Sequence, residues 1–591
     1  MSVKRRTYIW IVAAILVLVF IFVLIPKESL RQKSFLERTN LLKTEVITED
    51  FIAELGDSSA EQAQNVVIIS VCDGSSRAEV YSGKGISLSD AWDKAVKNAA
   101  RKIDNLSSDP LWIRVDVVNK VWLVSAESIS NELHSLTSGF DFHGIALDSG
   151  FETVITEGEL NGRGIYDYKS DEISLFQLNL LLKERGQNPV SELPGMMMAF
   201  ETCGWICDEN DNIYSLCREG ADTGRRAVSV LDADYVKGLI DNASSFLVNQ
   251  VKPDGSFIYG YYPQFDEEIN HYNILRHSGT IWSLICRYRM FPGDDLRKTI
   301  ESAIDYMLSQ IRYDDEGAGH LYDAEDGEYK LGGYGIAVVT LTEYMDVFQN
   351  DKYKKECIAL GEGILKQQNS NTGSYWHIIN NNFTRGEDFR TIYYDGECTF
   401  ALARLYSFTG DQKWLDAACK AVDLFIEEDY TQYRDHWVAY SLNEVTKYVD
   451  RKEYYDFALA NAVNNYERIM GRARTYPTNL ELLMSVFETW QRMVDKGIDT
   501  GDFDVEELLN VISARANRQL SGYFYPELAM YMDNPQKILG SFMTRNDKFR
   551  VRIDDVQHNI GGYYLYWKNY DAMVKAGLNP GRMDFTLAEE D

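Results

Sequence analysis

The sequence predicts a multi-domain chain with an N-terminal transmembrane helix, a small α+β domain and an all-α (α/α)6 toroid. Three observations predict it. Residues 7–25, "TYIWIVAAILVLVFIFVLI", carry no charge. Residues 65–195 mix β-branched runs with helical patterns. From residue 233 on, two kinds of helical segment alternate to the end of the chain.

The apolar run is about the length needed to cross a bilayer. Lys4, Arg5 and Arg6 precede it, and Pro26 and Lys27 end it. No small-x-small cleavage site follows, so residues 1–27 read as a cytoplasmic tail and an uncleaved anchor. The basic tail favours a single-pass membrane protein with its N-terminus cytoplasmic and its body extracytoplasmic. Lys27, Arg31 and Lys33 oppose that bias, and a cytoplasmic body is the alternative. Residues 28–64 read as a stalk and helical lead-in.

In the α+β domain, 65–195, "NVVIISVC" and "LWIRVDVVNKVWLVS" read as strands. "SLSDAWDKAVKNAARKI" and "EISLFQLNLLLKERG" read as helices. No catalytic constellation stands out there, so its expected role is binding or positioning. Residues 196–232 read as a hairpin and linker carrying Cys203, Cys207 and Cys217. These are either stapled by one disulfide or packed as thiols. Zinc is disfavoured, because no CxxC pair or close histidine accompanies them.

The net charge of −30 disfavours nucleic-acid partners, which require a basic face. Aromatic residues make up 13% of the chain, with 37 Tyr and 11 Trp, enough for both core and sugar-stacking surfaces.

In the toroid, 233–591, the first kind of helix has a polar stripe, as an outer helix should: 234–250, 294–311, 351–368, 411–428, 452–470 and 505–520. The second kind is apolar over more of its surface, as a buried inner helix should be: 278–291, 333–348, 396–410, 436–449, 479–494 and 558–574. Six such pairs are enough to close a ring. Inner-to-outer links are mostly short. Outer-to-inner links are mostly long, over 251–277, 312–332, 369–395 and 521–557. Long structured loops usually carry function, and here they gather on one face, at the inner-helix N-termini.

The stretch "YYDGECTFALARLYSFTGDQKWLDAACKA" within these pairs resembles the six-hairpin, (α/α)6 carbohydrate-active superfamily. That superfamily includes glycoside hydrolases, polysaccharide lyases, N-acylglucosamine epimerases and the C-terminal domain of glucuronyl C5-epimerases. The resemblance covers about 233–575 and implies a fold rather than a reaction. No motif transfers a catalytic residue.

Candidate residues follow from position on the loop face. The expected proton-transfer groups are Glu397, Asp395, Asp435, Asp554, Asp555, His277 and His558. Each carboxylate has a bland alternative as a helix cap or first-turn acid. The expected substrate contacts are Tyr259, Tyr262, Arg276, Trp376, His377, Arg390, Tyr394, Arg434, His436, Trp437, Arg545 and Arg552. So many arginines in an acidic chain point to an anionic glycan. No cofactor is expected, and no metal, because the histidines form no short ligand motif. The expected function is processing of a polysaccharide or oligosaccharide by hydrolysis, elimination or epimerisation. The rival is a non-catalytic glycan-binding or scaffold protein working with polysaccharide-assembly partners.

Overall fold

The computed structural model describes residues 29–57, 65–129, 143–167, 170, 172–218, 222–386, 391–472 and 474–581. The anchor expected over 7–25 and Arg390 lie outside them. Among the described residues, no helix is long and apolar enough to cross a membrane. The chain divides into two compact units. One takes in the chain to Ala126, His143–Ile155 and Pro194–Leu216, and the other takes in the remainder.

The first unit is built on an antiparallel sheet. Its strands are β1 (Val66–Cys72), β2 (Glu79–Lys84), β3 (Trp112–Ser125), β4 (His143–Ala146), β5 (Val154–Ile155), β6 (Met196–Cys207) and β7 (Ile213–Ser215). They lie in the order β2-β1-β3-β6-β4-β5, with β7 on β6. Alternation along β1 covers both faces of the sheet. Val67, Ile69 and Val71 pack with Trp92 and Ala95 of the helix Leu88–Ala100. Val66 and Ile68 pack with Val118, Phe151 and Phe200.

The expected stalk is, from Leu30 to Val46, a helix docked on this unit. Its buried Arg38 donates to the carbonyls of Pro110 at 2.8 Å and Leu111 at 3.0 Å, and pairs with Asp211 at 2.8 Å. The boundary expected at 195 also shifts. Residues 156–193 belong to the second unit, and β6 returns to pair along β3 from Ile113↔Cys207 to Ser125↔Met196. The hydrogen-bonded ladder, rather than chain order, decides the membership. No disulfide joins Cys203, Cys207 or Cys217.

Among the described residues, the second unit contains twelve ring helices. The outer ones are α1 (Ala233–Asn249), α3 (Asp294–Ser309), α5 (Lys354–Gln367), α7 (Gln412–Glu427), α9 (Lys452–Val463) and α11 (Val505–Gln519). The inner ones are α2 (Ile274–Met290), α4 (Leu331–Phe348), α6 (Tyr394–Thr409), α8 (His436–Val445), α10 (Thr478–Lys496) and α12 (Ile553–Lys568). Each inner helix packs on the next, and α12 packs on α2, which closes an (α/α)6 toroid. Residues Leu331–Met345 of α4 are buried without a break, as a helix covered on every side should be.

Two small sheets organise the loop face. Gly260–Tyr262 pairs with Glu267–Glu268 and with Val551–Arg552, joining the first long loop to the last. The strands Ile311–Tyr313, Gly319–Asp323, Glu328–Lys330 and Ile378–Ile379 join the second loop to the third. Several inner helices begin earlier than periodicity indicates. α12 starts at Ile553, so Asp554 and Asp555 stand in its first turn rather than in the loop before it, and His558, expected at the helix start, stands in its second turn.

Candidate active site

Three inner helices bring one side chain each to the same point. His436 opens α8, where the N-cap Asp435 accepts the Trp437 backbone N–H at 2.8 Å. His558 lies in the second turn of α12. Glu481, in the first turn of α10, is fully buried. Its Oε2 lies 2.8 Å from Nδ1 of His558 and 3.8 Å from Nε2 of His436. The two imidazole centroids are 5.2 Å apart, edge to face. Tyr440 donates to the other Glu481 oxygen at 3.2 Å. α12 approaches closely enough here that a Cβ at Gly561 would fall on the Glu481 carboxylate.

The two histidines are driven apart in charge. Burial, then the positive charge of His558, holds His436 well below its ordinary value. His436 is therefore neutral, and neither of its ring nitrogens has a hydrogen-bond partner among the described residues. Burial alone would also lower His558. The charge and hydrogen bond of Glu481, with Asp554 and Asp555 behind, reverse this and raise it. Titratable neighbours pushed in opposite directions are the usual mark of an acid–base pair. Donor atoms of His436, Glu481 and His558 all lie within 4.8 Å of one another, a spacing that a divalent ion would also accept.

Aromatic rings wall the pair. Tyr393 lies 5.5 Å from His436, and Trp437 lies 6.4 Å from His558, centroid to centroid. Trp282 packs against Trp437, with centroids 5.8 Å apart and the rings tilted by 34°. On the far side of Trp282 and Tyr440, a cavity of about 230 Å³ runs toward the opposite end of the ring.

Glu397 stands in the first turn of α6. Burial, then the charge of Asp435, pushes its carboxyl well above the usual range. Its Oε2 has no partner among the described residues. Gly332 of α4 leaves the space this group occupies. Asp395, by contrast, is tied. It accepts from His377 Nε2 at 2.9 Å and from the Tyr430 hydroxyl at 3.2 Å. His377 Nδ1 in turn accepts the Thr391 N–H at 2.8 Å, which leaves Nε2 to donate to Asp395. Tyr394 flanks it at 5.4 Å.

The aspartate pair on α12 sits among arginines. Asp554 is paired with Arg552, 2.7 Å from Nη2, and with Arg276, 2.9 Å from Nε. Burial would raise it, and these two guanidiniums outweigh that and lower it. Asp555 takes both arms of Arg550, at 3.0 and 3.1 Å. Burial and then Asp554 push it upward. Arg276 also donates to the Tyr259 hydroxyl. Arg545 pairs with Glu157 at 3.1 Å. Tyr262 lies under Lys548, and Trp376 under Arg385.

His277 is placed elsewhere. It starts α2 as expected, but its ring faces the outer helix α3. Nε2 meets the Ala303 carbonyl at 2.9 Å, and Nδ1 meets the Tyr272 hydroxyl at 2.7 Å. Burial pushes it down to about 4. It is a core histidine satisfied on both sides, not a member of the central group. Glu481 is the residue that reasoning from loop position overlooks.

No family model and no curated protein matches the chain. Among solved structures, a D-mannose isomerase covers 57% of this chain and 97% of its own, at 10% identity and TM-score 0.45. The cellobiose 2-epimerase of Bacillus thermoamylovorans B4167 covers 57% and 99%, at 11% identity and TM-score 0.46. A family GH76 α-mannanase of Bacteroides thetaiotaomicron covers 57% and 97%, at 11% identity and TM-score 0.43. Likeness this distant leaves the reaction to be read from the site itself.

Proposed function

We propose that the ring is a carbohydrate-acting enzyme in which His436 and His558 move protons at a carbon beside a sugar carbonyl, giving isomerisation or epimerisation. The observation that carries this reading is the meeting of the two imidazoles, edge to face at 5.2 Å, with the Glu481 carboxylate 2.8 Å from Nδ1 of His558. Neutral His436 removes the carbon-bound proton. The C–H electron pair moves into a carbon–carbon double bond, and the carbonyl oxygen takes a proton from the His558 imidazolium, leaving an enediol. Return of a proton from His436 to carbon, on the opposite face or at the neighbouring carbon, with one enediol O–H giving its proton back to His558 as the carbonyl re-forms, completes the reaction. Glu481 occupies Nδ1 of His558, so Nε2 is the donor toward substrate. Tyr393, 43% exposed and 5.5 Å from His436, offers a stacking face for a sugar ring.

The test is incubation of the full-length protein with reducing oligosaccharides in D2O, read by mass spectrometry and NMR. Deuterium enters the sugar with wild type and not with H436N or H558N. Deuterium uptake that survives both substitutions sinks the assignment.

A second reading is hydrolysis, with Glu397 as the protonated acid and Asp435 as the carboxylate. It is favoured by the raised, unpartnered Glu397 carboxyl. New reducing ends without deuterium would select it. Silence in both assays would select the non-catalytic glycan-binding reading. The apolar run 7–25 supports a membrane anchor with the ring extracytoplasmic. Protease accessibility in intact cells tests that arrangement.

A further inference from the structure

Most arginines of the loop face are neutralised. Arg276, Arg545, Arg550 and Arg552 each have an acid within 3.1 Å. Three others differ. Among the described residues, Arg434, Arg468 and Arg472 make no ion pair with any carboxylate, in a chain with 90 Asp and Glu against 60 Lys and Arg.

Hydrogen bonds brace the two segments that carry these three. Arg434 ends the short turn before α8 with φ 53°, a left-handed conformation that costs a non-glycine residue energy. Asn464 donates to the Thr431 hydroxyl at 3.2 Å and Asn465 to the Thr431 carbonyl at 2.9 Å, tying this turn to the end of α9. The following segment carries Arg468 and Arg472. It is pinned from below by the buried Arg515 guanidinium, which donates to the carbonyls of Ile469 at 3.3 Å, Arg472 at 2.7 Å and Arg474 at 2.8 Å. The Arg472 guanidinium lies over the Tyr476 ring at 5.3 Å. Nε of Arg434 is buried and has no hydrogen-bond partner. Arg468 and Arg472 are close enough that their charges bear on Arg434. Arg434 is two residues from His436.

We propose that Arg434, Arg468 and Arg472 form an anion subsite beside His436 that takes the carboxylate or sulfate ester of an acidic oligosaccharide. Guanidinium forks match the planar oxygens of such groups. The proposal rests on the reading of the ring as a sugar site, and it names the class of sugar. It replaces the broader expectation of a positive loop face with one built corner.

The experiment is isothermal titration calorimetry of the full-length protein with tetragalacturonate, a chondroitin sulfate tetrasaccharide and neutral cellotetraose, for wild type and for R468A/R472A. The expected result is at least tenfold tighter binding of an acidic ligand than of cellotetraose. That preference is lost in the double variant, where neutral binding is unchanged. Tetragalacturonate carries carboxylates alone and the chondroitin tetrasaccharide carries both groups, so tighter binding of the latter marks a sulfate contact and equal or weaker binding marks a carboxylate one. Equal binding of acidic and neutral ligands by wild type overturns the proposal, as does a preference that survives in the double variant. A thermal melt with inorganic sulfate separates the two levels of the argument. Greater stabilisation of wild type than of the double variant, with no oligosaccharide bound, upholds the anion subsite and rejects the sugar reading. Equal stabilisation, with no oligosaccharide bound, rejects the subsite.

Discussion

The Glu481→Gln substitution isolates the charge that holds His558 protonated. The two groups are 2.8 Å apart, and Glu481 is fully buried. Glutamine keeps the shape of the side chain and removes its charge. Two unit charges about 4 Å apart interact by about 4 kcal/mol at an effective dielectric constant near 20. Glutamine still offers His558 an amide oxygen as hydrogen-bond acceptor, so roughly half of that, about 2 kcal/mol, is the expected loss. Each 1.36 kcal/mol is a factor of ten, so proton affinity falls about 30-fold. The sign follows from the direction of the shift. His558 is raised in the folded protein, so the acid form persists up to that raised value and is lost as pH climbs through it. The alkaline limb of kcat/KM against pH, measured by deuterium exchange, therefore moves to lower pH in E481Q. The acid limb, set chiefly by burial of His436, moves little. The same ion pair stabilises the fold fully below the unfolded histidine value near 6.5, and that stability fades as pH rises through the folded value. An alkaline limb that does not move in a variant shown by denaturation to be folded would refute His558 as the acid.

Gly561→Ala places a methyl on the Glu481 carboxylate. It should lower kcat at least tenfold, with circular dichroism unchanged. His277→Asn removes two buried hydrogen bonds and should cost about 1–3 kcal/mol in urea unfolding, while leaving the pH profile of kcat/KM intact. His277 also makes the fold acid-sensitive. Its value is depressed to about 4 by burial, so below about 6.5 the unfolded chain binds a proton that the folded one refuses. Its contribution to stability is complete above that unfolded value and falls by about 3 kcal/mol on the way to pH 4. H277N should flatten that acid slope. Glu397→Gln keeps full deuterium exchange if His436 and His558 do the chemistry, and abolishes turnover if Glu397 is the acid of a hydrolase.

The toroid is legible because burial on every side leaves a compositional trace. Leu331–Met345 can hold fifteen consecutive buried residues only as an inner helix, and its sequence is apolar with small residues throughout. The polar stripe of the outer helices is equally direct. Strand exchange between loops is not legible. Nothing in "GYY" at 260–262 announces a partner at Val551–Arg552, because that pairing is set by closure of the ring across almost the whole unit. Helix starts are blurred for a related reason. Ile553 opens α12 because that strand hands the chain straight into the helix, with no Ser, Thr, Asn or Gly to mark the boundary. The strand content of β6 is visible in "MMMAFETCGWIC", but its pairing with β3 depends on a return across an intervening segment.

Position at an inner-helix start proves a weaker guide than position plus partner. His277, His436 and His558 all stand near such starts, yet the His277 ring meets Ala303 on an outer helix while the other two rings meet each other. The arginines mislead for the opposite reason. Arg550 and Arg552 look like ligand-binding forks until Asp555 and Asp554, a few residues along the same chain, are seen to fill them. Local charge balance was present in "RVRIDD" and argued for neutralisation. The signal for Glu481 was also present in "NLELLMSVF", where a lone carboxylate breaks an apolar inner-helix stretch. Such a group must be paired, protonated or bound to a cation. Its partner, His558, comes from the neighbouring inner helix, 77 residues away. An acid inside an otherwise apolar helix of a closed ring is therefore a better pointer to the axis than any charged residue in the loops, where solvent and nearby counter-charges offer cheaper explanations.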